Sequence, residues 1–247
     1  MNRRAVLALV PASLLALTAC SRAVPDSKAP APRRLTSEEA DRMALARFAV
    51  YRRGTGEVTA TVPSGDRTIT LTGRVDWRGH HGYAELRDDA APPARELVHW
   101  NPRGVAGHPR WTGGLPDRPP ASGWEFHPLR PHSAALDSML LLLLHLGADR
   151  PDNAQLLARS DARWLREDRI GGVPVMVAAG PGAADAPAGS GRLGNTRYWI
   201  DADGGLLRFQ ARLGGEVRWA TAELPRTRSA GALPAPPEQL TRPTAPH

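Results

Sequence analysis

Residues 198–213 read YWIDADGGLLRFQARL. Apolar and polar residues alternate on both sides of Asp203-Gly204, and such a dipeptide favours a tight antiparallel hairpin because glycine takes positive φ without a Cβ clash. TRYWIDA therefore reads as one strand and LLRFQARL as its partner. Leu207, Phe209, Ala211 and Leu213 fall on one side, and Arg208, Gln210 and Arg212 on the other. A curved antiparallel sheet built of such strands is wet outside and apolar inside.

The same pattern extends in both directions. ARWLREDRI turns at Gly171-Gly172 into VPVMVAAG, and Gly214-Gly215 leads into EVRWATAEL. Nearer the N terminus, TITLTGRVDW places Ile69, Leu71, Gly73, Val75 and Trp77 opposite Thr70, Thr72, Arg74 and Asp76, the signature of a half-buried strand. RGHHG is a turn into YAELR; ELVHW and GVAGHP form a short hairpin around Asn101-Pro102; WEFHPL follows the long loop WTGGLPDRPPASG as a further strand. About ten or eleven antiparallel strands with a few helices specify an α+β domain.

Three helices accompany them. LTSEEADRMALARFAVYRRG opens on a capping box, Thr36 with Glu39, and stops at Gly54. SAALDSMLLLLLHLG, residues 133–147, is apolar on every side from Leu140 to Leu144, which buries a helix without making it long enough to cross a bilayer. It is the natural object to fill the inside of the sheet. PDNAQLLARS reads as a second short helix with Pro151 in its first turn.

The N terminus carries an address. Arg3-Arg4 precedes an apolar stretch to Ala19 that is too short for a membrane span, the layout of a secretory signal over residues 1–19. Leu17-Thr18-Ala19-Cys20 resembles the bacterial lipobox, so Cys20, the single cysteine, is expected to be lipidated and the protein to be an exported lipoprotein on the outer face of the cell membrane. Sec and twin-arginine export both fit. Residues 20–34, polar and rich in proline and alanine, read as a disordered tether, and 226–247 as a disordered tail, which leaves one domain over 35–225. The net charge of +7 is almost all arginine, scattered rather than gathered in a stripe, and so gives no reason to expect nucleic acid as a partner.

The order of parts resembles the LolA/LolB-like superfamily, closest to actinobacterial lipoproteins of the LppX/LprG type. LREDRIGGVPVMVAAG followed by YWIDADGGLLRFQARL carries the resemblance, through Gly171-Gly172, Trp199-Ile200-Asp201, Gly204-Gly205 and Arg208. The resemblance implies an open half-barrel sheet with helices over its concave face and an apolar cavity for acyl chains. It brings no catalytic set. On this reading a lipid or other lipophile sits against Leu71, Val75, Leu86, Leu140, Leu144, Val175, Ile200, Phe209 and Trp219, with the helix at 134–146 as lid or plug. The alternative is an envelope sensor or protein-interaction module on the same fold, with an envelope protein as partner.

Other constellations carry less. GSGRLG, residues 189–194, matches a dinucleotide fingerprint but precedes a strand instead of opening a helix. His80-His81, His99, His108, His127 and His132 show no i, i+4 pairing for a metal, and Ser133 and Asp137 near His132 and His145 lack a nucleophile elbow. The expectation is a binding protein with no enzyme activity, cofactor or metal.

Overall fold

The computed structural model describes residues 30–131, 133–182, 193–213, 215–226 and 231–241. The signal, Cys20, most of the tether and residues 189–192 of the glycine fingerprint lie outside them. In chain order the elements are β1 (Arg33–Arg34), α1 (Ser37–Arg53), β2 (Thr55–Ser64), β3 (Arg67–Asp76), β4 (His81–Asp88), β5 (Arg95–Asn101), β6 (Gly104–Pro109), β7 (Glu125–His127), α2 (Ala135–His145), α3 (Ala154–Arg159), β8 (Arg163–Ile170), β9 (Val173–Ala179), β10 (Thr196–Ile200), β11 (Leu206–Ala211), β12 (Ala220–Glu223) and α4 (Glu238–Thr241).

Among the described residues, all twelve strands join one antiparallel sheet in the order β1-β8-β9-β10-β11-β12-β2-β3-β4-β5-β6-β7. The sheet does not close, and it ends on strands of only two and three residues, β1 and β7, which leaves little unpaired backbone at either edge. Among the described residues, the two meanders, β2–β7 and β8–β12, are joined in the sheet through the pairing of Thr221, Ala222 and Glu223 with Thr61, Ala60 and Thr59.

Two strands exceed the sequence expectation. β2 pairs along its whole length with β3, and β1 places Arg33 and Arg34, the last two residues of the expected tether, opposite Trp164 and Arg163 in the sheet. At the other end, EVRW is not part of β12, which begins at Ala220. α1 starts as its capping box requires: Thr36 Oγ1 accepts from the Glu39 N–H (3.2 Å) and Glu39 Oε2 from the Thr36 N–H (2.8 Å). Glu39 also binds Arg33 at 2.7 Å, and that hydrogen bond, foremost among several causes, holds its carboxyl below the usual carboxylate range.

The hairpin at residues 198–213 forms with a bulge. Trp199 pairs with Arg208 and Ile200 with Leu206, so Leu207 is the extra residue. Leu206, Phe209 and Ala211 enter the main core, while Leu207 joins Trp199, Val175 and Val177 in a small apolar cluster on the opposite, outer face. The alternation placed Leu207 with Phe209; the bulge reverses it.

α2 fills the inside of the sheet and is fastened there. The Trp77 indole N–H donates to the Leu143 carbonyl (2.8 Å) and that of Trp100 to the Leu140 carbonyl (3.0 Å), both bonds buried. Leu143 lies in the last turn, where carbonyls have no intrahelical donor, so Trp77 supplies a missing partner. Room for the indoles comes from glycine: a Cβ on Gly82 would overlap the Trp100 ring, and one on Gly56 would stand 2.7 Å from Trp77. At the N-terminal end the buried Asp137 accepts from the Arg130 N–H (2.8 Å). Held at both ends, α2 is a plug.

α3 begins after Pro151, not on it. Asn153 caps it, accepting from the Leu156 N–H at 3.0 Å, a side-chain bond that proline cannot supply. The C-terminal segment departs from the expected disordered tail. α4 packs on β6 with Leu240 buried, and Asn101 donates to the Leu240 carbonyl (3.2 Å). Arg226 grips Asp201, which is 2% exposed, through Nε (3.0 Å) and Nη2, while the other Asp201 oxygen accepts from the Asp203 and Gly205 N–H groups. Arg226→Ala is expected to cost about 1–3 kcal/mol in urea unfolding, because it leaves a buried carboxylate without its counter-charge. Loss of less than the scatter between surface variants would show the grip to be inert.

Candidate ligand cleft

The inside of the sheet is full. Leu71, Val75, Leu86, Leu140, Leu144, Ile200 and Phe209 all belong to one core, and of these only Phe209 also reaches an open space. Val175 points outward with Trp199 and Leu207, and Trp219 is half-buried, with the guanidinium carbons of Arg197 and Arg212 standing 4.2 and 4.6 Å from its ring centre. The nine residues expected to line one cavity are therefore mostly core, and two are on the wrong side of the sheet. Low hydropathy contrast is the reason: strand alternation shows that residues share a face, not whether the space before them is occupied.

The open space lies beside the plug. A cleft of about 460 Å³ separates α1, the C-terminal end of α2 and α3 from the inner face of β10 and β11. Met43 and Ala46 of α1, Leu142 and Leu146 at the end of α2, and Leu156 and Leu157 of α3 form its walls; Tyr198 and Phe209, edge to face at 5.2 Å, form its floor. None of the α3 residues is buried, and Leu156 is 65% exposed.

Polar groups frame the cleft and hold its shape. Arg47 donates from Nε to the His145 carbonyl (3.0 Å) and from Nη1 to Asp152 Oδ1 (3.2 Å), joining α1 to the end of α2 and to the start of α3. The connecting loop is stitched to α1 by Ala148 N–H to Arg47 O (3.1 Å) and Asp152 N–H to Ala44 O (3.0 Å). Burial, then the charges of Arg47 and His80, lowers the His145 pKa, and burial raises that of Tyr198. Both shifts favour the neutral side chain. A second depression, of about 490 Å³, lies on the outer face of β2 and β3, where Glu57, Arg74 and Asp117 make its lining polar.

The remaining candidates scatter. Asp137 is occupied by the Arg130 backbone, Ser133 is exposed, His145 stands at the far end of α2, and His132 lies outside the described residues. No three His, Cys, Asp or Glu side chains among the described residues converge on a metal position. His99 has a different fate. Fully buried on the outer side of β5, it stacks on Tyr83 (4.4 Å between ring centres) and meets the edge of Trp124 (5.1 Å), which also covers His108 (5.5 Å). Among the described residues, neither ring nitrogen of His99 nor the Tyr83 hydroxyl has a hydrogen-bond partner. Burial pushes the His99 pKa down to about 3, helped by the charge of His81, and the Tyr83 pKa up to about 12.

No family model and no curated protein matches the chain. Among solved structures, a hypothetical protein from Chlamydia trachomatis aligns over 83% of this chain and 100% of its own, at 9% identity and a TM-score of 0.26. No helix among the described residues is long and apolar enough to cross a membrane.

Proposed function

We propose that the protein is an envelope lipoprotein of LolA/LolB-like type, anchored through Cys20, that binds a lipid or other lipophile in the cleft between α3 and the β10–β11 floor. The observation that carries this reading is a mostly apolar cleft of about 460 Å³ beside a filled core. Its size is that of a small-molecule site, and its walls offer an acyl chain apolar contact on three sides. Burial of each methylene contributes about 0.8 kcal/mol, so even a partly enclosed chain is held. The exposed Leu156 on a helix without buried residues makes α3 the natural lid. The reading is one of binding, not of catalysis.

Native mass spectrometry of the chain without its first twenty residues tests it, followed by organic extraction and identification of what is released. The expected result is a co-purifying or added lipid that Leu157→Arg expels and Leu156→Glu weakens by about tenfold, since each removes apolar contact of one leucine and introduces charge. Retention of lipid by both variants would reject the cleft. A second reading, a sensor or protein-interaction module, draws on the plugged interior of the sheet; a clean apo mass with no uptake of added lipid would leave it in possession.

A further inference from the structure

The outer face of β10 and β11, the reverse of the strands that floor the cleft, carries two neighbouring arginines stacked on one indole. Arg197 pairs in register with Gln210, and Arg212 lies two residues further along, so the two arginines are diagonal neighbours on one face. Both guanidinium groups rest on a single indole, Trp219, at 4.2 and 4.6 Å from its centre. Other arginines of this face are neutralised: Arg166 by Asp168 (2.9 Å) and Arg208 by Glu223 (2.6 Å). Among the described residues no carboxylate stands within ion-pair distance of Arg197 or Arg212.

We infer that Arg197, Arg212 and Trp219 form a binding site for a phosphate group, either that of an anionic lipid headgroup or a free phosphate. The guanidinium fork matches phosphate oxygens, and two forks clamped on one ring have already lost much of the rotamer freedom that binding would cost. Two like charges near one another are unfavourable without a counter-ion and strongly favourable around one. Burial first, and then the charges of Arg166 and Arg212, lowers the Arg197 pKa. The inference is independent of the cleft reading, since the site lies on the other side of the sheet.

The test uses the chain without its first twenty residues, which keeps every described residue. Inorganic phosphate is titrated against the Trp219 indole N–H resonance, assigned by its loss in Trp219→Phe, with sodium chloride at equal ionic strength as reference. In parallel, co-sedimentation is measured with vesicles of phosphatidylcholine and with an equimolar mixture of phosphatidylcholine and phosphatidylglycerol. Arg197→Gln/Arg212→Gln is expected to weaken the productive arm about thirtyfold, two charges' worth at a membrane surface, and Arg212→Gln alone, an exposed change that spares folding, about fivefold. Arg110→Gln/Arg118→Gln, matched in charge but elsewhere on the surface, should bind as the parent does. A saturable resonance shift without vesicle preference assigns free phosphate; vesicle preference without a saturable shift assigns the headgroup. Absence of both, or an equal loss in the matched control, overturns the site.

Discussion

Replacing Trp100 by alanine is expected to destabilise the domain by about 4–5 kcal/mol, which is a large share of the stability of an ordinary domain. Trp100 is among the largest fully buried side chains, it lies over Gly82, and its indole N–H reaches the Leu140 carbonyl. Truncation opens a cavity between β4, β5 and α2 that the glycine cannot help to refill. Trp100→Phe separates the two contributions, because it keeps most of the ring volume and removes the hydrogen bond; a loss of about 1–2 kcal/mol is expected. Equilibrium urea unfolding reads both. If the alanine variant were as stable as the parent, α2 would not be a plug, and the packed interior described here would be wrong.

Acidification should destabilise the protein through His99. Its folded pKa of about 3 lies below the ordinary value near 6.5. Between those values the unfolded chain takes up a proton that the folded one refuses, so stability falls as pH falls through this window and is fully present only above pH 6.5. From pH 7 to pH 5 the loss is about 2 kcal/mol. His99→Leu, which keeps an apolar body between Tyr83 and Trp124, should flatten this part of the profile. Carboxylates such as Glu39 and Asp168, whose folded pKa values are depressed, lose their contribution only at lower pH, and the difference between parent and variant isolates the histidine. Parallel pH profiles for the two proteins would show that His99 protonates freely.

The sequence revealed those elements whose polarity alternates strongly or whose helix signals are local. The hairpin at residues 198–213, the TITLTGRVDW strand, the capping box at Thr36 and the leucine-rich helix are all where their side-chain patterns put them. β2 was not legible because TGEVTATVPS pairs small residues with threonine, a weak contrast, and ends on a proline. β1 has two residues and exists only because β8 is beside it, and α4 lies in a proline-rich stretch that local propensity assigns to coil. The bulge at Leu207 shifts a face by one residue, and the Gly204-Gly205 pair just before it reads as the hairpin turn and not as a bulge. The cleft was least legible: its walls come from α1, α2 and α3 and its floor from β10 and β11, and no local pattern states that the leucines at 140 and 144 would be spent as filling while those at 156 and 157 stay beside a gap.

The short seam between β12 and β2 sets the order in which this chain can reach its native state. Strands β2 to β7 can zip as a meander of neighbours as soon as they emerge, but β2 must wait with one edge open until residues 221–223, more than one hundred and fifty positions later, arrive to close it. A chain made from its N terminus therefore presents a sticky half-sheet until its last strand is delivered. Folding is completed by its last strand, so losing the C-terminal segment early, or being slow to deliver it, is the most direct way to turn this chain toward aggregation.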